Sequence, residues 1–454
     1  MNLGGWLVTE GWIKPSLFYG IPNNGTMDGT QLHFMSVTQK RYLIADKGGG
    51  AAILADRMSV RLGDLQGRSK SCPTLWRINE TTFNLRVNGR QFWGVNNTGA
   101  LVATATTPGQ SETFQLVCRD SDKSRVRIRA PNGFFLQVKT MASVTADYGQ
   151  NTNWSDNDPS VFVTKNVGGL QGEYQLCNGY GIANATQVLM NHRNIFISKR
   201  DFNFMASSGL NAVRVPVGWW IASGDNPPPF VGGSLQFLDK AFSWGQKYNI
   251  SVIVTLHDAP GSQNPYEHSA TRDGYANNTA FLAIELLNEP LAPGANLSVL
   301  MKYYQDGYNA VRRYTPASYV IMSNRLNIAN QTEILQFVGS FDGAVLDVHY
   351  YNLFDKKFDN LTVEQNINFV RNNRSSDLKA ITNQNGRPLT FVGEWSAAWG
   401  VQGANKTDYQ RFAKVQQDVY GNATFGWAYW TLQNPFLPWN MTYMIQNGII
   451  TLKS

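Results

Sequence analysis

"AIELLNEPLAPG", residues 283–294, carries an apolar run straight into Asn288-Glu289-Pro290. A proline cannot donate to a strand ladder and asparagine tolerates turn geometry, so the triplet stops the strand. It also leaves a carboxylate beside an amide at the stop. Taken alone, Glu289 would read as a solvated turn residue. A second carboxylate ending another strand in the same manner changes that reading. Glu394 does so, closing the apolar run of "LTFVGEW" (389–395).

On both sides of this stretch, apolar strand-type segments alternate with helical ones. The strands are read at 3–10, 211–220, 251–257, 282–290, 319–324, 344–352, 389–395 and 425–433. Helical periodicity occupies 188–210, 235–249, 297–316, 363–382 and 409–421. Apolar strands alternating with helices imply a parallel sheet, and eight of them imply a (β/α)8 TIM barrel.

The region from about Asp28 to Thr164 has a different texture, with short alternating segments broken by Gly and Asn. "KRYLIADKGGGAAILADR" from Lys40, "GRQFWGVNNTGALVATATTPGQSETFQL" from Gly89 and "NGFFLQVKTMASVTADYG" from Asn132 share one pattern. Each has an aromatic-plus-apolar pair, a small-residue turn and a second strand. A spacing of about 40–50 residues suggests three copies of one β unit. A β-trefoil is the economical solution, and a generic β-sandwich is the alternative. Because the first barrel strand precedes this region, it is read as an insertion between strands one and two. The expected domains are a barrel over 1–27 and 165–454, and an inserted β domain over 28–164.

In such barrels the chemistry sits at the C-terminal ends of the strands. Those ends carry Glu10, Arg214, His257, Asn288, Glu289, His349, Tyr351, Glu394, Trp395 and Trp430. Each alone could be a turn or capping residue; their collective placement is the signal. The strands bearing Glu289 and Glu394 face each other across the mouth, and two carboxylates on one cleft suit glycoside hydrolysis. Asn288 would hold the sugar 2-hydroxyl, and Trp430 and Trp395 would offer flat faces to a sugar ring. His349 and Tyr351 would hydrogen-bond Glu394, and Arg214 would keep it ionised.

Composition agrees with a neutral, polar ligand. The chain has 454 residues, ample for more than one domain, with 13 Trp and only 16% charged residues. The net charge of +7 comes from scattered Lys and Arg, with no basic run of the kind that binds nucleic acid. Three cysteines without a C-x-x-C pair, and only five His, speak against a structural zinc site. Spacing leaves a Cys72–Cys118 disulfide open. No stretch of about 18 apolar residues offers a membrane span. Fourteen N-x-S/T sequons between Asn24 and Asn440 point to a secretory history and an extracellular or cell-wall setting. The start at Met1-Asn2-Leu3 falls on an apolar strand-like run, and the expectation is that the natural N-terminus, with its signal, lies upstream.

The barrel resembles glycoside hydrolase family 5, and more narrowly the exo-1,3-β-glucanase group of fungi and plants. The motifs carrying the resemblance are "NLGGWLV", "RVPVGWW", "LHDAPGSQN", "LLNEP", "HYYNLF", "GEW" and "WAYW". Plant members carry a fascin-like insert after strand one, and the "K-x-Y-L-x-A" texture here is similar to it. The resemblance implies a retaining enzyme acting on β-glucans or β-glucosides, with Glu289 as acid/base and Glu394 as nucleophile. It implies that Arg214, His257, Asn288, His349, Tyr351 and Trp430 line the subsite beside the cleaved bond, and that Glu10 binds the terminal glucose. No metal or cofactor is implied, and a monomer is expected.

The chain departs from the pattern between strands three and four. Only Asp258 to Ala280 intervene where the family places a full helix, and Pro265, Gly274 and Asn277-Asn278 argue against one. The family has glycine at the place of Pro265 and a small residue at that of Asp258, which adds negative charge near the cleft. Truncation or a misassembled gene model would explain the gaps at this crossover and at the start; a degenerate, weakly active member is the rival explanation. Two other functions compete with hydrolysis: a non-catalytic glycan-binding protein with the trefoil as lectin, and a cytoskeletal binder suggested by the fascin likeness alone.

Overall fold

A computed structural model describes residues 1–21, 29–45, 48–58, 73–78, 81–87, 91–149, 153–222, 228–264, 266–269, 283–382 and 388–452. Two sheets account for the described strands. Twelve strands, from β1 (Thr30–Ser36) to β12 (Phe162–Gly169), form one antiparallel sheet. Seven, β13 to β19, form a second and wholly parallel one.

The antiparallel sheet curls on itself. β5 (Thr82–Arg86) and β9 (Asp122–Arg129) are joined through β8 (Thr113–Arg119), and β1 also pairs with β4 (Thr74–Arg77). Its interior is filled by alternate residues such as Phe34, Leu43, Ile53, Phe83, Trp93, Phe114, Ile128 and Phe162, the period-two burial that alternating sequence dictates. β1 and β12 lie side by side, Thr30 opposite Gly169. The domain therefore enters and leaves at one place, as an insertion must.

The parallel sheet runs in chain order: β13 (Ala212–Gly218), β14 (Ser251–Asp258), β15 (Ala283–Glu285), β16 (Tyr319–Ser323), β17 (Ala344–Asn352), β18 (Leu389–Trp399) and β19 (Gly426–Tyr429). Six strands contribute Ile253, Ala283, Ile321, Val345, Phe391 and Ala428 to one buried layer, the interior packing of a TIM-type barrel. Helices cover the outside, among them α4 (Leu235–Tyr248), α5 (Leu297–Arg312) and α9 (Lys406–Tyr420). Asn296 and Asn405 cap the starts of α5 and α9 by accepting backbone N–H bonds. The helix read over 188–210 is two, α2 (Ile182–Ile195) and α3 (Lys199–Ser207), because Ser198 opens a new capping box with Asp201.

The expected first strand, 3–10, is corrected. Ladder bonds to the parallel sheet are confined to Met1–Leu3, with Glu10 bridging only Gly172: Asn2 N–H donates to Tyr429 of β19, Leu3 N–H to Arg214 of β13, and Arg214 N–H to Met1. Three residues thus bridge the first and last strands of the sheet. The chain then turns at Gly4-Gly5, where Gly5 takes φ 74°. Any side chain on Gly4 would collide with the Trp430 indole, since a Cβ there would fall 2.6 Å from the ring.

Between β14 and β15, the described residues 259–264 and 266–269 form turns without a helix. Pro265 and 270–282, including Gly274 and Asn277-Asn278, lie outside the described residues, as does Cys72. Cys118 is an exposed free thiol and Cys177 a buried one. Among the described residues no helix is long and apolar enough to cross a membrane.

Candidate active site

Arg214, on β13 and fully buried, is the hub of the barrel mouth. Its Nε and Nη2 grip Glu285 of β15 in a two-pronged fork, at 2.6 and 2.8 Å. Nη2 also donates to Asn288 Oδ1 at 2.7 Å, while Nη1 donates to Asn2 Oδ1 at 2.9 Å and to Glu394 Oε1 at 3.0 Å. A guanidinium carries five donors in a rigid plane and no acceptor, so the fork to Glu285 dictates which way the remaining N–H groups point.

Glu394 is aimed by a bulge. On β17, Val345, Asp347, His349 and Tyr351 alternate to the inside, and Asp347 Oδ1 accepts the Gly393 N–H at 2.8 Å. The pairing of β17 with β18 then slips by one residue: Val348 faces Val392, but His349 faces Glu394. An extra residue on one strand re-aims the side chains beyond it, and here it turns Glu394 inward. Tyr351 Oη donates to Glu394 Oε2 at 2.8 Å.

Glu289 reaches the same place from the end of β15, with its backbone in the left-handed region at φ 49°, a conformation costly for a side chain of this size. His349 Nδ1 lies 2.9 Å from Glu289 Oε1 and 3.6 Å from Glu394 Oε2, and its Nε2 lies 3.0 Å from Asp347 Oδ2. Burial opposes charge on His349, but the surrounding Glu394, Asp347 and Glu289 carboxylates raise its pKa well above the usual histidine value. Burial likewise raises Glu394, reinforced by Glu289 and opposed by His349 and Arg214. For Glu289 burial is outweighed by the His349 bond and charge, which bring it below the usual carboxylate value. The lowering of Glu289 and the raising of His349 both come in part from their 2.9 Å contact, so the two titrate as a pair. Glu394 differs, since Arg214 and Tyr351 bring it donors only.

The other expected residues fall around this centre. His257 Nε2 is 3.1 Å from Arg214 Nη1, and its ring stacks on Trp430 with centroids 5.5 Å apart at 15°. Glu10 accepts from Trp12 Nε1 at 2.9 Å. Trp12 meets Trp439 edge-on at 5.3 Å, and Trp439 in turn lies against Tyr351 at 5.4 Å, so Glu10 flanks the Glu394 side of the cleft through two aromatic contacts. Trp395 does not join them. It is fully buried against Tyr420, Trp427 and Tyr429, because the residue after the bulge alternates to the outside of the sheet. Asp258 also alternates away, and the charged groups around it are Glu173 and Arg86. His349 bonds Glu289 rather than Glu394, the reverse of the expected emphasis.

Sequence reasoning missed Asn2, Glu285, Asp347, Gln263 and Asn264. Gln263 Nε2 donates to the carbonyls of His257 (2.7 Å) and Asn288 (2.8 Å), and Asn264 Nδ2 to that of Glu289 (3.0 Å). Glu285 was readable in principle, four residues before Glu289 on an apolar strand. Two groups, Glu285–Asp347–His349 and Glu289–His349–Glu394, bring ligand-type atoms within 4.8 Å of one another. Arg214 already supplies positive charge to Glu285, Asp347 and Glu394.

Residues 173–435 match the cellulase domain, glycosyl hydrolase family 5. Residues 23–167 match a domain of unknown function, DUF7910. The probable glucan 1,3-beta-glucosidase A of Aspergillus clavatus is 28% identical over 64% of this chain and 82% of its own length. The glucan 1,3-beta-glucosidase of Schwanniomyces occidentalis is 28% identical over 61% of this chain and 78% of its own. The crystal structure of AoRut superposes with a TM-score of 0.52 at 21% identity, covering 62% of this chain and 88% of that one. With more than half its length matched and two buried carboxylates meeting at one histidine, the chain belongs to glycosyl hydrolase family 5 and is a glycoside hydrolase.

Proposed function

We propose that this glycoside hydrolase cleaves β-glucosidic bonds of 1,3-β-glucans or β-glucosides with retention of configuration. One observation carries the reading: Glu289 and Glu394 converge on His349, with carboxylate oxygens within 4.8 Å of one another. Retaining enzymes hold their carboxyl groups about 5–5.5 Å apart, whereas inverting ones leave about 6.5–9.5 Å for a water. Glu394, facing Arg214 and Tyr351, is the nucleophile that attacks the anomeric carbon. Glu289 delivers a proton to the departing oxygen as its bond to the anomeric carbon breaks. Glu289 then takes a proton from a water, or from a sugar hydroxyl in transglycosylation, whose oxygen attacks the anomeric carbon and breaks its bond to Glu394, so that both carboxyl groups are restored.

Arg214, Asn288, His257, His349, Tyr351 and Trp430 line the reacting subsite, and Glu10 with Trp12 binds the terminal glucose. Low charge, many aromatics and the names of the relatives support a glucan substrate. The protein acts as a monomer, outside the cell or in the wall, a setting supported by its sequons. For the insert we propose a fascin-like β-trefoil over 28–164, its twelfth strand running on to Gly169, a reading supported by the twelve described strands and the threefold sequence pattern. A second reading, a catalytically impaired glycan-binding member, is favoured only by the helix-free turns at 259–264 and 266–269.

Hydrolysis of an aryl β-glucoside followed by NMR of the first-formed anomer tests the proposal. Release of β-glucose supports it; release of α-glucose overturns retention; binding of laminari-oligosaccharides without any turnover favours the second reading.

A further inference from the structure

The segment that braces the catalytic strand ends has no helix of its own among the described residues, yet it is well buried. Ser262, Gln263, Asn264, His268 and Ser269 are all less than 9% exposed. Ser262 adopts φ 61°, a conformation that persists only where the surroundings enforce it. Ser269 Oγ donates to the Asn264 carbonyl at 2.8 Å, and the same hydroxyl lies 2.6 Å from Asn264 Oδ1. These residues in turn set Gln263 and Asn264, whose amides hold the backbone of His257, Asn288 and Glu289.

Support comes from the inserted domain. Arg86 ends β5 of the antiparallel sheet and is only 4% exposed. Its Nη2 donates to the Ser262 carbonyl at 3.5 Å, and its charge only partly opposes the burial and the Glu173 charge that push the Asp258 carboxyl, at the end of β14, well above the usual carboxylate range. Its guanidinium lies 5.9 Å from the Trp76 ring. Trp76 and Phe92 of the β domain form one apolar seam with Leu170 and Tyr174, just beyond β12. The other end of the brace is held by the same return segment: the Glu267 carbonyl lies so close to Gly172 that a Cβ there would fall 2.1 Å from it.

We propose that the inserted all-β domain buttresses the active-site loop, with Arg86 as the positioning residue that seats Gln263 and Asn264 under the strand ends. A buried guanidinium is well suited to this task. It can donate to a carbonyl from within a buried seam, and removing it takes that donor from the Ser262 carbonyl. The domain thereby supplies the lateral support that an outer helix gives elsewhere in the barrel. Arg86 touches no substrate atom; it acts through the loop.

The test compares the full chain with Arg86→Met, which keeps the apolar stem, and Arg86→Lys, which keeps the charge. One readout is hydrogen exchange in peptides covering 259–269. The other, which rests on the hydrolase reading, is kcat and KM on an aryl β-glucoside. Arg86→Met is expected to speed exchange at 259–269 while exchange in β17 and β18 stays unchanged. It should also lower kcat by roughly 10- to 100-fold, the size of effect that about 1 Å of misplacement produces, with KM little altered. Arg86→Lys is expected to recover part of both losses. Unchanged exchange at 259–269 overturns the proposal, whatever happens to kcat, and so does faster exchange spread over the whole barrel. If the unaltered chain shows no turnover, the hydrolase reading fails while the exchange readout still decides the buttress.

Discussion

Gly393 lies flush against the carboxylate of Asp347. Its N–H donates to Oδ1 at 2.8 Å, and a Cβ at this position would fall 2.4 Å from the same oxygen. The glycine of "GEW" is therefore the residue that lets β18 close on β17 and then bulge, turning Glu394 into the mouth. Gly393→Ala should force the two strands apart. Overpacking a filled core costs about 1–3 kcal/mol, so the melting temperature should fall, and kcat should fall more steeply as Glu394 loses its aim. Thermal melts with parallel kinetics check this; a variant that keeps kcat would show that the bulge does not set the carboxylate.

Glu289→Gln and Glu394→Gln should each abolish hydrolysis while leaving the circular dichroism spectrum intact, because Gln keeps shape and most hydrogen-bonding capacity. General acid–base assistance is worth about 10²–10⁴-fold, so Glu289→Gln should lose at least that range on a poor leaving group. With azide added, Glu394→Ala should yield the inverted glucosyl azide and Glu289→Ala the retained one. The same anomer from both would refute the division of roles.

His349 links stability to pH. Its pKa in the folded protein is raised well above the usual histidine value by Glu394, Asp347 and Glu289, against burial. A raised histidine stabilises the fold fully below its unfolded pKa of about 6.5, and that contribution drains away as pH rises through the higher folded value. The melting temperature should therefore decline from about pH 6 towards alkaline pH. His349→Gln should flatten that decline, and two parallel curves would count against the link.

Replacing 28–164 by a short linker should leave the barrel's helical circular dichroism largely intact, since the two apolar cores are distinct. It should not leave stability intact. Leu170 is 4% exposed within a seam shared with Trp76 and Phe92. Fully burying a residue of this kind is worth about 1.5–3 kcal/mol, so exposing it should lower the melting temperature by several degrees. Loss of all helical signal would make the domain integral to the barrel fold.

Local sequence was enough to set the alternation of strand and helix, the foreign texture of the insert, and the pair of carboxylates, but not where the strands stop: β15 ends at Glu285, before Glu289, and β18 runs past Glu394 to Trp399. Each rests on a property of neighbouring residues: a period of two or of 3.6, a proline after a glutamate, a glycine before one. It also named Arg214, His257, Asn288, His349 and Tyr351, because polar side chains at the ends of apolar strands have few structural reasons to be there. Which of two adjacent residues faces inward was settled by tertiary structure alone. Trp395 was read into the cleft but packs outside, because a single bulged residue reverses the alternation after Gly393 and no sequence period records a bulge. Asn2, Glu285 and Asp347 went unread for a related reason. They lie within or beside apolar runs, below the rim, where a charge is tolerable only because Arg214, 71 residues before Glu285 in the chain, arrives to neutralise it. Arg214 also reaches Glu394 of β18, 180 residues further on; that contact follows from closing the barrel, and it is that closure, brought about by hydrogen bonds from Met1–Leu3 to both β13 and β19, that turns separate strand ends into one site.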